Sequence, residues 1–493
     1  MNSFLKRLLP LALLPALAVG LAACDSTGDD DDDDGGTPVV NPLDAIYDTT
    51  GTEIRVSDAQ ASGIAAPNGT VTWEAGFTYV LSGRVFVNAG QTLEIQPGTV
   101  VKGEPGLREN ASALIVARGG RLLAEGTAAE PIVFTALADN VDDATDEPGA
   151  GSWGGLIVLG SASSNNGTGT AAIEGIPTTE TRGLYGCGDA GFACDDDDDS
   201  GVIRYVSIRY GGSEIGEGNE INGLTMGGVG RGTIVEYVEV FGNQDDGFEW
   251  FGGTVNGRYL VAAFCGDEAF DTDQGYRGTN QFVFGIQRDG AGDNGFEMDG
   301  AEDDFGPIGA TPFSTPTFAN VTVVGNGEDR AVRIKENAAP RFYRAHFANF
   351  ERGITIEDTE GTDDSRARFE AGDGEFGQGS VLFGAFLGDF NEDGQFGDPI
   401  DVAGGEDYTL ALLTAANATF FGENTGVVSV STSPDGGLDP TAAGPALDNV
   451  GALPPNGFLQ EDGAGCIGAV CPGSNWLGGW TALSRLGYLA GGA

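Results

Sequence analysis

Five short stretches between Asp245 and Glu357 repeat one pattern: Gly247-Phe248-Glu249-Trp250-Phe251, Ala269-Phe270-Asp271-Thr272-Asp273, Gly295-Phe296-Glu297-Met298-Asp299, Ala331-Val332-Arg333-Ile334-Lys335 and Gly353-Ile354-Thr355-Ile356-Glu357. Successive copies start 22, 26, 36 and 22 residues apart. A short strand recurring about every 20 to 30 residues marks a solenoid whose coils stack. Side chains alternate across a strand. Phe248, Phe270, Phe296, Val332 and Ile354 therefore form one inward file, and Trp250, Thr272, Met298, Ile334 and Ile356 a second. Two files are expected to point to solvent: Glu249, Asp271, Glu297, Arg333, Thr355, and Phe251, Asp273, Asp299, Lys335, Glu357. A period of 3.6 would scatter these classes, so the pattern predicts strands rather than a helix.

Outward from this block the same logic continues. Gly223-Leu224-Thr225-Met226-Gly227 fits one coil earlier, and Trp153 to Leu159, Pro131 to Phe134, Ala113 to Ala117 and Thr78 to Glu104 supply earlier rungs. Loops are expected to interrupt the stack at about 136–152, 161–200, 300–316, 358–405 and 430–475. The predicted fold is all-β: a right-handed parallel β-helix over residues 51–430, with loop insertions and capped ends, residues 431–493 forming a C-terminal loop and cap. Trp476 and Trp480 are expected to plug the C-terminal end, where an open solenoid exposes apolar core and unpaired edges.

Several segments resemble parallel β-helix proteins secreted by Gram-negative marine bacteria: Leu93-Glu94-Ile95-Gln96-Pro97-Gly98-Thr99-Val100-Val101-Lys102-Gly103, Gly126-Thr127-Ala128-Ala129-Glu130-Pro131-Ile132, Ile203-Arg204-Tyr205-Val206-Ser207-Ile208-Arg209-Tyr210-Gly211-Gly212 and Asn475-Trp476-Leu477-Gly478-Gly479-Trp480-Thr481. The resemblance covers roughly residues 70–485. It implies a right-handed β-helix on an extracellular protein, often a lipoprotein or a substrate of a secretion system, and it implies no particular activity.

The N-terminus carries an address. Lys6 and Arg7 precede an apolar run from Leu8 to Leu21, and Leu21-Ala22-Ala23-Cys24 closes it. A basic start, a short apolar core and small residues at the cut describe a secretory signal, too short for a membrane span. Its end resembles the bacterial lipobox, which implies cleavage before Cys24 and lipidation of that residue. An acidic tether follows over 25–50, with six consecutive aspartates at 29–34 that repel one another and stay extended. The expected location is the outer membrane, anchored through Cys24 and exposed at the cell surface.

The net charge is −50, from 74 acidic and 24 basic side chains. Nucleic acid is excluded as a natural partner, because it requires a basic patch. Such a charge destabilises a compact state unless salt screens it. Both a saline habitat and an acidic secreted protein with many Asp turns fit this composition. Cys187 and Cys194 flank one loop and Cys466 and Cys471 another, so two local disulfides are expected in an oxidising compartment. Cys265 is left over as a small buried residue.

Two chemistries compete for the acidic files. Glu249, Asp271 and Glu297 would lie about 4.8 Å apart on successive coils. Like charges at that distance repel by about 3 to 4 kcal/mol at an effective dielectric near 20. Asp273 and Asp299 add a second file, so Ca²⁺ held by Asp271, Asp273, Glu297 and Asp299 would offset the repulsion, as would salt or the cations Arg333 and Lys335. A solvated acidic face is the alternative. Asp389-Phe390-Asn391-Glu392-Asp393-Gly394-Gln395-Phe396-Gly397-Asp398 gives a second Ca²⁺ candidate through Asp389, Asn391, Asp393 and Asp398. It matches the first six positions of an EF-hand loop, but its twelfth position is Ile400.

The catalytic alternative uses Asp245, Asp246, Asp271, Arg333 and Lys335. Arg333-Ile334-Lys335 resembles the Arg-Ile-Lys motif of polygalacturonases and Asp245-Asp246 their paired Asp, which implies acid and base roles for the pair and uronate binding for the cations. The family's Gly-His-Gly and Asn-Thr-Asp motifs are absent, and the single histidine, His346, follows Arg333. Sequence therefore favours a surface-anchored protein that binds glycans without cleaving them. A polysaccharide lyase or glycoside hydrolase on acidic polysaccharide is the runner-up, and a structural envelope component is the third reading.

Overall fold

The computed structural model describes residues 47–491 apart from 59–62, 66, 168, 190, 215–220, 302–308, 360–363, 385–405 and 422–424. Cys24 and the candidate loop from Asp389 to Asp398 lie outside the described residues. The chain is a parallel β-helix built from two stacked sheets, one of 17 strands and one of 9. The nine-stranded sheet contains the repeat. Its rungs run Arg84–Val87, Ala113–Val116, Leu156–Leu159, Leu224–Gly227, Phe248–Phe251, Phe270–Asp273, Phe296–Met298, Arg330–Ile334 and Arg352–Ile356. Phe248 pairs with Phe270, Phe270 with Phe296, Phe296 with Val332 and Val332 with Ile354, the register that the repeat predicts. All five are fully buried, as are Trp250, Thr272, Met298, Ile334 and Ile356. Phe270 is stacked between Phe248 and Phe296, with ring centroids 5.5 and 5.0 Å away.

Gly247 and Gly295, which open two of the copies, are small for a steric reason. A Cβ on Gly247 would sit 2.6 Å from the Ala269 carbonyl oxygen, and one on Gly295 2.7 Å from that of Ala331. At these two positions the next coil approaches too closely for a Cβ.

The longer sheet bends. Thr92–Ile95 and Val100–Gly103 are separate strands in the early coils, but from Gly201–Arg209 to Arg341–Ala348 single strands of eight or nine residues run through the bend. Tyr205, Tyr237, Tyr259 and Phe282 occupy the corner at φ of 48, 54, 58 and 60°, a left-handed conformation costly for aromatic residues. Their rings stack at 4.3, 4.2 and 4.7 Å, which offsets that strain.

Trp476 and Trp480 do not plug an end. Trp480 packs edge-on against Tyr205 and Tyr237, and Trp476 against Tyr259. They belong to a C-terminal segment that runs back along the flank of the longer sheet. Gln281 exchanges two hydrogen bonds of 2.7 Å with the Gln460 backbone, and the Ala469 N–H donates to Thr322 Oγ1 at 2.9 Å. The Ala482 and Leu483 N–H groups donate to Glu239 at 2.5 and 3.2 Å. Arg485 pairs with Asp142 at 2.8 Å. The stretch 358–405, expected as an insertion, contributes Val381–Gly384, a rung of the longer sheet paired with Arg341–Ala348. Cys187 is disulfide-bonded to Cys194 and Cys466 to Cys471, while Cys265 is free and buried.

Candidate functional site

The two outward files of the repeat do point away from the coil interior, but the expectation that they meet solvent fails. Glu249, Asp273, Asp299, Thr355 and Phe251 are buried, and Asp271, Glu297, Arg333, Lys335 and Glu357 are only partly exposed. The insertion at 161–200 folds over this face. Its hairpin, Thr170–Ala172 against Leu184–Gly186, closes an apolar cluster in which Ala171, Ile173, Ile176 and Tyr185 cover Ile115, Ile157, Leu159 and Phe251. Asn165 then donates to the Gly300 carbonyl at 2.6 Å, and Tyr185 donates to Gln274. The Asp195–Asp199 run holds this insertion in place. Asp196 accepts from Ser163 and pairs with Arg277, Asp197 pairs with Arg231, Asp198 accepts from Ser161, and Asp199 pairs with Arg121.

Beyond the apolar half, the face turns acidic. Asp246, Glu249 and Asp271 each present a carboxylate oxygen to one point, all three lying within 4.8 Å of one another. Two further groups of the same size, Asp245–Asp246–Asp267 and Asp267–Glu268–Asp293, continue along the corner. Burial, followed by the neighbouring carboxylates, holds Asp246, Glu249, Glu268 and Asp271 well above the usual carboxylate range, and Asp293 rises to about 6. Asp299 is raised in the same way.

A second file orders these groups. Two residues before each inward residue stand Asn222, Asp246, Glu268, Asn294, Arg330 and Arg352. Asp246 Oδ1 accepts the Glu268 N–H at 2.9 Å, and Glu268 Oε1 accepts the Asn294 side-chain amide at 2.7 Å. Each side chain thus caps the coil after it. This file was missed in the sequence, although extending the repeat alignment two residues upstream displays it.

The charges on the outward stripe are unevenly satisfied. Arg333 pairs with Glu297 at 2.9 Å, while Lys335 reaches both Glu297 at 3.2 Å and Asp299 at 2.8 Å. These carboxylates raise the pKa of both cations against the opposing effect of burial. Neither cation is poised to take a proton. Of the four expected calcium ligands on the stripe, Glu297 and Asp299 therefore already have cationic partners. The tighter oxygen group is Asp246, Glu249 and Asp271, with Asp273 beside it. The polygalacturonase-like arrangement is not assembled, because three rungs separate Asp245-Asp246 from Arg333-Lys335. His346 is far from this chemistry. It sits in an outward file of the longer sheet beneath the C-terminal segment, and burial pushes it down to about 4.

The donor set suits a hard cation. Among the described residues, Asp271 Oδ1 is buried without a hydrogen-bond partner. Asn222, 1% exposed, donates its amide to Glu249 and leaves its own Oδ1 buried and unpartnered. Oxygen donors alone, several of them anionic, match Ca²⁺ rather than a softer metal.

A family model described as the pectate-lyase-like β-helix domain matches residues 65–378, and the chain belongs to that family. No curated protein and no solved structure matches it.

Proposed function

We propose that the acidic half of the nine-stranded sheet's outer face binds an acidic polysaccharide through Ca²⁺. Asp246, Glu249 and Asp271 would hold the ion, with the Asn222 carbonyl oxygen completing the protein's share. The observation that carries this reading is the convergence within 4.8 Å of three carboxylates, Asp246 and Glu249 buried and Asp271 partly exposed, with no cationic side chain paired to them among the described residues. Ca²⁺ takes six to eight oxygen ligands, so an ion held by this set keeps positions for a ligand carboxylate. A net charge of −50 would otherwise repel an anionic polymer. The protein is further proposed to be a lipoprotein anchored through Cys24, with the acidic tether holding the β-helix away from the membrane.

Membership of the pectate-lyase-like family favours a second reading, cleavage of the same polymer by β-elimination. Both are tested together by affinity electrophoresis on polygalacturonate, with Ca²⁺ or with chelator, while the ultraviolet absorbance of unsaturated product is followed. Calcium-dependent retention without product supports binding alone, and product supports the lyase. Equal retention of wild type and Asp271→Asn in calcium would reject the site.

A further inference from the structure

In a chain this acidic, cations are scarce, and most of the described arginines are tied to carboxylates. Arg330 and Arg352 are not. They pair directly in register on consecutive coils, so their backbones lie about 4.8 Å apart. Among the described residues neither guanidinium is in an ion pair, and Arg330 Nε is buried without an acceptor. Both side chains are half-buried at the corner. Asp293 and Asp329 attract Arg330 without reaching salt-bridge distance, whereas Arg352 and Arg333 repel it. The pKa of Arg330 is lowered, burial being the largest cause and the two like charges the next. Two arginines in register on consecutive coils thus stand without an ion pair among the described residues.

Their position gives the pair a meaning. The file Asn222, Asp246, Glu268, Asn294, Arg330, Arg352 runs along one corner from amide through acid to base. Arg330 lies two coils beyond Glu268, roughly 10 Å along the axis. A polymer lying along this corner would meet the carboxylate group first and the arginines next.

We propose that Arg330 and Arg352 form an oxyanion subsite that grips a carboxylate or sulfate group on a sugar. The proposal rests on the reading of the acidic corner as a polysaccharide site, and it names the group recognised at the far end. Guanidinium groups match planar oxyanions with two parallel hydrogen bonds, and two of them on consecutive coils can share one such group. An oxyanion between them relieves the repulsion that the free protein carries.

The test uses Arg330→Gln, Arg352→Gln and the double variant of the full chain. Melting is followed with sodium galacturonate and with sodium sulfate, each against sodium chloride at matched ionic strength. Wild type should gain stability from at least one oxyanion beyond chloride, and the double variant should lose that gain. In chloride alone the double variant should melt no lower than wild type, because it removes a repulsion. Retention on polygalacturonate and on a sulfated galactan should weaken about tenfold or more. Galacturonate response alone identifies a carboxylate ligand, and sulfate response alone a sulfate ester. The same oxyanion gain in wild type and double variant overturns the subsite, as does its absence from wild type. Unchanged calcium-dependent retention in the variants rejects the subsite while the polysaccharide reading stands. Loss of the galacturonate gain in the variants, with no polymer retained by wild type, does the reverse.

Discussion

Lys335 Nζ lies 2.8 Å from Asp299 Oδ2 on the preceding coil, and 3.2 Å from Glu297 on the same coil as Asp299. One cation thus answers two carboxylates across a rung. Asp299 is 4% exposed, so its charge has little water to fall back on. Lys335→Gln shortens the side chain by one atom and removes its charge, leaving Asp299 without its cation while Glu297 keeps Arg333. Breaking a buried pair from one side costs on the order of 3 kcal/mol while the carboxylate stays ionised, and Asp299, whose pKa is already raised, escapes part of that cost by taking up a proton. Denaturant unfolding should show a loss of up to that order near neutral pH, and a change under about 0.5 kcal/mol would mean that water already serves Asp299.

Glu239 fastens the C-terminal segment. Ser207 Oγ donates to it at 2.6 Å, Arg209 Nε donates to Ser207 Oγ at 2.9 Å, and the Ala482 and Leu483 N–H groups complete its shell. Glu239→Ala removes the acceptor and leaves the fully buried Arg209 without its strongest carboxylate attraction. The segment after about residue 455 should then become sensitive to protease while the coils stay intact. Limited proteolysis with mass spectrometry checks this, and first cleavage within the rungs between Phe248 and Ile356 would count against the clamp.

The rungs were legible because a strand period of two, repeated in register, leaves little freedom. Phe248, Phe270 and Phe296 are large, apolar and aligned, so any other register would expose all three. Exposure of the alternate files was not legible. Whether Glu249 meets water depends on the insertion at 161–200, whose apolar residues Ile173, Ile176 and Tyr185 carry no period of their own. The site was half visible for the same reason. Alternation displayed Asp271, Glu297, Arg333 and Lys335, but Asp246 joins Asp271 through a corner, where alternation no longer applies. Trp476 was misplaced because its partner, Tyr259, lies about two hundred residues earlier, and local patterning carries nothing over that distance.

Salt should stabilise the folded chain. About fifty unbalanced negative charges repel across one molecule, and the screening length shrinks from about 30 Å at 0.01 M to about 3 Å at 1 M salt. Melting temperature should rise from low to molar sodium chloride. A flat or falling curve would show that the ion pairs already formed, such as Arg204 with Glu236 and Arg121 with Asp199, are enough.

The carboxylate corner predicts an unusual dependence on pH. Asp246, Glu249, Glu268, Asp271, Asp293 and Asp299 hold their protons more tightly when folded than at their ordinary values of 3.8 for Asp and 4.5 for Glu. Above those values the folded chain binds more protons than the unfolded one, so stability falls as pH rises. The window opens near pH 4 and extends past the value of about 6 reached by Asp293. With chelator present, the protein should therefore melt lower at about pH 8 than at about pH 5. Ca²⁺ competes with protons for the same oxygens, so adding it should raise melting strongly at the higher pH and little at the lower. Asp271→Asn removes one charge from the group of three. It should raise stability in chelator at the higher pH and abolish most of the calcium gain. A wild-type protein that gains stability from pH 5 to 8 in chelator would show that the corner is already neutralised without an ion. An Asp271→Asn protein that keeps the full calcium response would move the ion to another site.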